Sequence, residues 1–337
     1  MRYVESLNAA LHGLMTNDER VIVLGEDVLD PYGGAFKVTK GLSTAFPDRV
    51  LTTPISEAGI TGVAIGLALR GFRPVLEIMF GDFLTLCADQ IINGATKFSW
   101  MYNGQVSVPL VVRTPMGGRR GYGPTHSQTL EGLFFSTPGL TIVAPSNFHD
   151  PGALLHQAVL GSDEPVLFVE NKLLYTEQLV ERDGTGKAGD FFIETQGDQD
   201  YPCISLSLTQ AAPSVTLVAY GGMGPLAADA ARSLYLEDEI DVETVIPSRI
   251  KPFPLEEVLP SVMKSGRVVI VEEGVRTAGW GAELAAEISE AAFGRLVRPV
   301  VRVGAADTPV PSSKTLEDAA LPQVGDIEAA VRGLLKG

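Results

Sequence analysis

The chain has 337 residues, 45% of them hydrophobic and 20% charged, with a formal net charge of −15 at pH 7. This length allows two ordinary domains with sizeable cores, and the acidity argues against nucleic acid as a partner because phosphate binding needs a basic face. The longest apolar runs are interrupted by Gly, Arg or Pro before membrane-spanning length, and residues 1–6 lack the apolar core of a signal peptide. We therefore predict a soluble cytoplasmic protein with no membrane partner.

Short β-branched runs alternate with longer helical patterns along the first half of the chain. The predicted strands are 21–24, 74–78, 108–113, 140–143 and 165–169, and the predicted helices follow Ser56 or lie near 84–98 and 149–160. This alternation is typical of a doubly wound α/β fold with a parallel sheet. We place the first domain over residues 1–185.

The periodicity fails from about residue 177 to 213, where Gly, Asp, Gln and Ser accumulate. We predict an inter-domain linker of irregular structure over 186–212. Beyond it the predicted strands are 215–220, 242–246, 268–272 and 299–303, and the predicted helices lie near 224–236, 255–263 and 280–291. This pattern indicates a second, smaller α/β domain over 213–337.

Glu57 places one carboxylate at the head of an otherwise apolar helix. Ser56 is a candidate N-cap, and Gly59, Gly62 and Gly66 recur at spacings that let another backbone approach closely. Desolvating a carboxylate is costly unless it is hydrogen-bonded, so Glu57 is expected to meet a protein donor or a ligand nitrogen. The alternative is an acidic residue favoured there only by the helix dipole.

Ligands of open α/β sheets bind beyond the carboxyl ends of the strands, and the segments in that position here are unusual. The segment 114–128 is basic and rich in glycine, and it carries His126, the one histidine of four on such a loop. Histidine exchanges protons near neutral pH, although a loop histidine also serves as a surface residue. Phe80 and Phe83 at another strand end are core residues by default, or one of them stacks on an aromatic ligand ring.

Several common motifs are absent from the sequence. No G-x-G-x-x-G follows a strand, and the chain has no phosphate-binding P-loop, no H-E-x-x-H and no nucleophile-elbow serine. Cys87 and Cys203 lack the paired spacing of a disulfide framework or a zinc site. These absences argue against a self-contained nicotinamide, nucleoside-triphosphate or zinc enzyme.

A set of motifs in fixed order nevertheless resembles one family over nearly the whole chain. The motifs are Gly25-Glu26-Asp27-Val28, Tyr32-Gly33-Gly34-Ala35-Phe36, Thr53-Pro54-Ile55-Ser56-Glu57-Ala58-Gly59, the segment 71–83, Gly123-Pro124-Thr125-His126-Ser127-Gln128, Pro138-Gly139-Leu140, Gly279-Trp280-Gly281-Ala282-Glu283 and Thr308-Pro309-Val310-Pro311. Together they resemble the beta subunit of the decarboxylating component of 2-oxo acid dehydrogenase complexes, of the pyruvate and branched-chain type. That family belongs to the transketolase-like thiamine diphosphate enzymes.

The resemblance implies a pyrimidine-binding domain followed by a transketolase-type C-terminal domain. By similarity Glu57 hydrogen-bonds the aminopyrimidine ring of thiamine diphosphate and exchanges a proton with it, which prepares the thiazolium ring for deprotonation. Phe83 matches the aromatic residue under that ring, Met79 stands where several relatives carry a polar side chain, and Ile55 is placed at the same cofactor. His126 matches the active-site histidine, proposed to position substrate and assist acyl transfer to a lipoyl group.

The resemblance also implies partners and metals. Relatives anchor the diphosphate and Mg²⁺ through a G-D-G…N motif of the alpha chain, which is absent here, so this chain is expected to hold half an active site in an assembly of two alpha and two beta subunits. In the segment matching the family's structural potassium site, Ser162 and Glu164 stand where the family has Asp and Asn. These differences count against K⁺.

Arg119 and Arg120 lie in a loop where many relatives have small residues. They suggest recognition of an anionic substrate tail or a carrier's phosphopantetheine, and the alternative is a pair of ordinary exposed arginines. The leading functional hypothesis is decarboxylation of a 2-oxo acid with acyl transfer to a lipoyl-type carrier. The alternatives are a split transketolase-like subunit that transfers a two-carbon ketol unit from a ketose phosphate to an acceptor or carrier protein, and a non-catalytic scaffold subunit.

Overall fold

The structure, a computed structural model, describes residues 1–336, whose contacts divide the chain into two units. The first unit comprises residues 1–116, 133–143 and 150–178, and the second comprises 117–132, 144–149 and the chain from 179 onward. The segment that carries His126, placed within the first predicted domain, therefore clusters with the second unit. None of the helices formed by residues 1–336 has the length and apolar character needed to cross a membrane.

The first unit contains a parallel sheet with helices. Its helices are α1 (Tyr3–Asn17), α2 (Leu42–Ala45), α3 (Glu57–Leu69), α4 (Leu84–Asp89), α5 (Phe98–Met101) and α6 (Pro151–Leu160). Its strands are β1 (Val21–Gly25), β2 (Val50–Thr52), β3 (Arg73–Glu77), β4 (Val111–Met116), β5 (Thr141–Val143) and β6 (Val166–Asn171). They pair in parallel in the order β5-β6-β4-β3-β1-β2, which confirms the predicted doubly wound sheet.

The predicted helix near 84–98 is interrupted. A π-helical segment, Gln90–Ala95, separates α4 from α5. A Cβ atom built at Gly94 would lie 3.2 Å from Cδ1 of Ile65 in α3, so glycine permits the close packing of this segment on α3. Glycine also weakens the preference for a regular helix, which explains why the regular pattern does not continue.

The second unit contains a mixed sheet. The strands of this sheet are β7 (Lys187–Ala188), β8 (Phe191–Gln196), β9 (Cys203–Ser207), β10 (Val215–Ala219), β11 (Val242–Pro247), β13 (Val268–Val275) and β14 (Val301–Ala305). The unit also contains the short strand β12 (Arg249–Lys251), which lies outside this sheet. Its helices are α7 (Met223–Asp238), α8 (Leu255–Ser265), α9 (Trp280–Ala291), α10 (Lys314–Ala320) and α11 (Val324–Lys336). The sheet order is β14-β13-β10-β11-β9-β8-β7, with β10, β11, β13 and β14 parallel.

The expectation of irregular structure over 186–212 is wrong, because β7, β8 and β9 lie there as antiparallel strands. In β8 the buried residues Phe191 and Ile193 alternate with more exposed ones, which is the pattern of a half-buried strand. The alternation is short and is flanked by Gly and Asp residues, so the turn-rich composition concealed it. The boundaries of the predicted linker remain a prediction.

Candidate active site

Glu57 is the first residue of α3, and its side chain is only 7% exposed. Ser56 is the N-cap residue, as predicted, but its side chain makes no capping hydrogen bond. Among residues 1–336, no donor forms a hydrogen bond with the Glu57 carboxylate. Of the two expected fates for this group, a protein donor is therefore not realised within the described chain, and the carboxylate remains available to a ligand nitrogen.

Glu26 is a neighbouring carboxylate that sequence reasoning did not assign to the site. It directly follows β1 and is buried, and its Oε1 atom has no hydrogen-bond partner among the described residues. Burial raises the pKa of Glu26, and the negative charge of Glu57 raises it further. The sequence could have indicated Glu26, because it directly follows a buried strand and ligands bind at the carboxyl ends of parallel strands.

Phe80 and Phe83, which follow β3, form a chain of edge-to-face contacts with Phe36. Phe83 ends a short 3₁₀ turn, and its ring centroid lies 6.1 Å from that of Phe80, which in turn lies 5.8 Å from that of Phe36. Phe80 and Phe83 are half-buried, whereas Phe134 is fully buried, so the default expectation of a core position is not met. A half-buried ring retains a surface on which a flat ligand ring can stack.

The two other residues expected at the cofactor differ in exposure. Met79 is half-buried directly before Phe80. Ile55 is 83% exposed, two residues before Glu57. An exposed isoleucine beside a buried carboxylate is an apolar surface that a bound ligand or another chain would cover.

The small-residue face of α3 has no contact of the kind predicted for it. Gly62 and Gly66 are exposed, and no atom of the described chain lies within 4 Å of a Cβ atom built at either. Val63 on the same helix is also exposed. Residues 1–336 supply no close backbone at these two glycines, so the approach of another backbone there stays a prediction that concerns another chain.

Glu77, at the end of β3, belongs to a buried ionic network. The Arg113 guanidinium donates to Glu77 at 2.8 Å and to both carboxylate oxygens of Glu170 at 2.8 Å, and the Tyr175 hydroxyl donates to Glu170 at 2.6 Å. Burial raises the pKa of Glu77, and the charge of Arg113 opposes this rise. These contacts connect β3, β4 and β6, so the role of Glu77 is to hold these strands of the sheet together.

His126 lies in the second unit on a loop that we call the His126 loop, residues 117–132. The Gly117 N–H donates to the Gln128 carbonyl at 3.3 Å, which closes the loop near its base. The imidazole is half-buried, and its Nδ1 lies 2.9 Å from Oγ1 of Thr125.

Arg119 and Arg120 are half-buried in the same loop, unlike ordinary exposed arginines. The Arg119 guanidinium hydrogen-bonds the carbonyl of Pro322 and, at 3.3 Å, the side-chain oxygen of Gln323. Arg119 therefore has partners within its own unit, and recognition of a substrate anion by this pair remains a prediction.

A cluster of buried carboxyl groups within the second unit was not predicted, and it includes Glu131 from the end of the His126 loop together with Glu272. Tyr220 donates its hydroxyl to Glu131, and the Gly281 N–H donates to Glu272 at 3.2 Å. Burial raises the pKa of Glu131 to about 7 and that of Glu272 to about 7, with a further contribution to Glu272 from the charge of Glu131. The sequence offered little indication of this cluster, because Glu272 simply follows the apolar residues of β13.

Residues 1–336 contain no group of three or more His, Cys, Asp or Glu side chains arranged to hold a metal ion. In the segment compared with the potassium site, the Arg73 guanidinium donates to the carbonyls of Val159 and Ser162 at 3.0 and 2.5 Å and to Asp163 at 2.8 Å. The Ser162 carbonyl of that segment, residues 160–165, thus already has a cationic partner.

Comparison with known families places the two halves of the chain in one class. The family described as "Transketolase, pyrimidine binding domain" matches residues 1–178, and "Transketolase, C-terminal domain" matches residues 206–327. A solved structure described as a split gene transketolase, inactive beta4 tetramer, has a TM-score of 0.76 at 23% identity and covers 100% of this chain and 99% of its own. The fold is therefore that of the transketolase-like enzymes, a family dependent on thiamine diphosphate.

Curated relatives define the family more closely. The beta subunit of acetoin:2,6-dichlorophenolindophenol oxidoreductase from Cupriavidus necator is 37% identical over 98% of this chain and 96% of its own. Pyruvate dehydrogenase E1 beta subunits from Arabidopsis thaliana, a mitochondrial protein, and from Leifsonia xyli are 38% and 39% identical, over 97% and 96% of this chain and 87% and 91% of their own. The chain belongs to the E1 beta-subunit family of the 2-oxo acid dehydrogenases, which confirms the resemblance. Because these relatives are beta subunits, an alpha partner is implied.

Proposed function

We propose that this chain is the beta subunit of a pyruvate dehydrogenase-like enzyme that decarboxylates a 2-oxo acid and transfers the acyl unit to a lipoyl-type carrier. The observation that carries the proposal is the buried Glu57 carboxylate, which lacks a hydrogen-bond donor among residues 1–336 and lies at the start of a helix in the pyrimidine-binding domain. Thiamine diphosphate, when bound, supplies the electron sink for cleavage of the bond between the carboxyl and carbonyl carbons.

The residues of this chain have distinct roles in the proposal. Glu57 hydrogen-bonds a ring nitrogen of the aminopyrimidine and holds or releases the proton shared with it. Glu26 keeps a second carboxyl group near Glu57, which makes the local charge sensitive to protonation. Phe83 supports the pyrimidine ring, Met79 and Ile55 add apolar surface that excludes water, and His126 orients the substrate and moves a proton during acyl transfer.

The proposed assembly has two alpha and two beta subunits, in which the alpha chain anchors the diphosphate and Mg²⁺. The exposed glycines of α3 and the exposed Ile55 support this proposal, since both leave surface uncovered next to Glu57. No potassium site is proposed, because Ser162 and Glu164 depart from the family pattern. The cytoplasmic location remains a prediction.

Binding of the cofactor tests the shared active site. Calorimetry with thiamine diphosphate and Mg²⁺ is expected to show negligible binding to the purified chain and tight binding to its complex with the alpha partner. The reason is that the groups proposed to hold the diphosphate belong to the other subunit. Tight binding to the chain alone would contradict this part of the proposal.

A substrate panel tests the reaction. The reconstituted complex is assayed with pyruvate, branched-chain 2-oxo acids, acetoin and ketose phosphates, by release of CO₂ and by acylation of a lipoyl domain. We expect activity on a 2-oxo acid. Turnover of acetoin or a ketose phosphate alone would reject the proposed substrate class, and inactivity on the whole panel with a complete complex would favour a non-catalytic scaffold.

A split transketolase-like subunit is the second candidate, and the observation favouring it is the pair of arginines in the His126 loop. The Arg119 guanidinium hydrogen-bonds the Pro322 carbonyl, so the two arginines are tested as separate single variants. For a desolvated charge-assisted contact, Arg120→Ala would weaken use of a ketose phosphate by about 2–3 kcal/mol and leave pyruvate unaffected. Arg119→Ala is the paired variant, and unchanged kinetics on every active substrate would reject anion recognition.

A further inference from the structure

The first turn of the His126 loop rests on two carboxylates of its own unit. The Arg119 N–H donates to Oε1 of Glu317 at 2.7 Å, and the Gly121 N–H donates to Oε2 of the same carboxylate at 3.2 Å. The Gly118 N–H donates to Oε1 of Glu273 at 2.7 Å. Glu317 has no exposed surface. A buried carboxylate needs hydrogen-bond donors, and the backbone of this loop supplies two N–H groups to it.

The backbone of this turn has a conformation that needs support. Gly117, Arg119 and Gly121 have φ angles of +95°, +70° and +67°. Left-handed residues between ordinary ones turn successive N–H groups toward a common side, which forms an anion-binding concavity. A non-glycine residue such as Arg119 adopts this region at a cost that surrounding contacts must offset. Here the anions are the carboxylates of the protein itself.

The segment 317–323 holds the same turn in further ways. A Cβ atom built at Gly118 would lie 2.5 Å from Cδ1 of Leu321, so the loop backbone packs directly on this segment. The Arg119 guanidinium hydrogen-bonds the Pro322 carbonyl. One short segment therefore supplies a carboxylate, an apolar contact and a carbonyl to one turn.

Two backbone hydrogen bonds connect the turn with the part of the loop that carries His126. The His126 N–H donates to the Gly123 carbonyl at 3.3 Å, and the Gly117 N–H donates to the Gln128 carbonyl at 3.3 Å. His126 thus lies within a loop closed by a backbone hydrogen bond, and the turn that donates to Glu317 comes before His126 in that loop. A shift of that turn moves the loop that carries the imidazole.

We propose that Glu317 is a positioning residue for His126, with Glu273 as its second support. The carboxylate of Glu317 fills the concavity formed by the loop backbone and holds the imidazole in one place for the substrate. The inference rests on the proposed function for the role of His126, whereas the anchoring of the loop by Glu317 stands on the contacts alone.

The rate of tryptic cleavage after Arg119 and Arg120 measures how firmly this loop is held, because both cleavage sites lie in the turn itself. Glu317→Gln keeps the side-chain volume but removes the charge, and its amide presents only one oxygen to the two backbone N–H groups. Asp318→Asn is the matched control, since the Asp318 carboxylate pairs with Lys314 at the surface. In the full chain we expect Glu317→Gln to raise the rate of cleavage at these arginines by about tenfold or more, and the control to leave it unchanged.

A kinetic measurement on the complex with the alpha partner separates positioning from general loss of structure. Glu317→Gln is expected to lower kcat for acyl transfer by about tenfold, with proton exchange at the cofactor and the melting temperature unchanged. Should Glu317→Gln fail to fold, Glu317→Asp, which keeps the charge on a shorter stem, is expected to show the same two changes to a smaller degree.

The outcomes distinguish this inference from the proposed function. An unchanged cleavage rate in a folded Glu317 variant would overturn the anchoring, whatever the enzyme does. Faster cleavage with unchanged kcat would overturn the positioning role. A wild-type complex inactive on the whole substrate panel would instead reject the proposed function, while the cleavage measurement would still decide the anchoring.

Discussion

At the scale of single residues, the candidate site separates into groups with different tasks. Glu57 and Phe83 belong to the first unit, and His126 belongs to the second. In the proposed function Glu57 acts on the cofactor and His126 acts on the substrate. Variants of the two residues should therefore affect different steps.

His126→Ala is expected to lower substrate turnover by about 10²-fold, the typical contribution of a positioned acid or base. Proton exchange at the cofactor should be unaffected, because that step is assigned to Glu57. His156→Ala is the control, since His156 is exposed on α6. The measurement is steady-state turnover alongside the exchange rate, and equal damage to both would show that the role assigned to His126 is mistaken.

Glu272 provides a prediction of pH dependence. Its pKa is about 7 in the folded chain against an ordinary value of 4.5, and burial is the main cause. Between these values the folded chain holds a proton that the unfolded chain has released, so the free energy of unfolding falls as pH rises through this window and levels off above it. Glu272→Gln mimics the protonated form and should be more stable than wild type at pH 8 by about 1–3 kcal/mol.

Denaturant unfolding at several pH values checks this expectation. At pH 4 the difference should nearly vanish, because wild-type Glu272 is then largely protonated in both the folded and the unfolded chain. Glu290→Gln is the control, since Glu290 is exposed near the end of α9. A Glu272→Gln chain that is less stable than wild type at pH 8 would oppose the assignment.

At the scale of elements, the ionic network around Arg113 links three parallel strands. Arg113→Met leaves Glu77 and Glu170 buried without their cation, so the free energy of unfolding should fall by about 3–5 kcal/mol. Lys314→Met removes an exposed i,i+4 pair and should cost less than about 1 kcal/mol. Urea denaturation measures both, and similar losses for the two variants would mean that the buried network contributes little beyond a surface pair.

The elements also show why sequence reasoning succeeded in part. Strands such as β1 and β10 are buried along their whole length, and continuous β-branched runs predict such strands directly. Strand β8 alternates buried with more exposed residues, and β9 carries Ser205 and Ser207 among its apolar residues, so neither is a continuous β-branched run that stands out from a turn-rich linker. The break between α4 and α5 depends on packing against α3, which no local pattern reveals.

The candidate site was predictable to the extent that its residues are unusual in their local context. Glu57 stands out because an acidic residue opens an apolar helix, and His126 because it follows a glycine-rich run. Glu317 and Glu273 did not stand out, since each lies in an ordinary pattern and acts on a loop about 155 to 198 residues earlier in the chain. Contacts at that separation are a property of the folded chain.

At the scale of the whole molecule, the chain matches the pyrimidine-binding domain of its family over residues 1–178 and lacks the G-D-G…N motif in its sequence. We propose that Glu57 activates the cofactor only when the alpha partner holds it. The buried carboxylate, the uncovered α3 face and the beta-subunit relatives support this proposal.

Hydrogen–deuterium exchange at the thiazolium carbon of thiamine diphosphate tests the claim most directly. The exchange rate is measured with the chain alone, with its complex with the alpha partner, and with the same complex carrying Glu57→Gln, after checking that the variant assembles. We predict accelerated exchange only in the wild-type complex, with a loss of at least about 10²-fold in the variant because glutamine keeps the size of the side chain but cannot exchange the proton. Wild-type exchange in the Glu57→Gln complex would contradict the account.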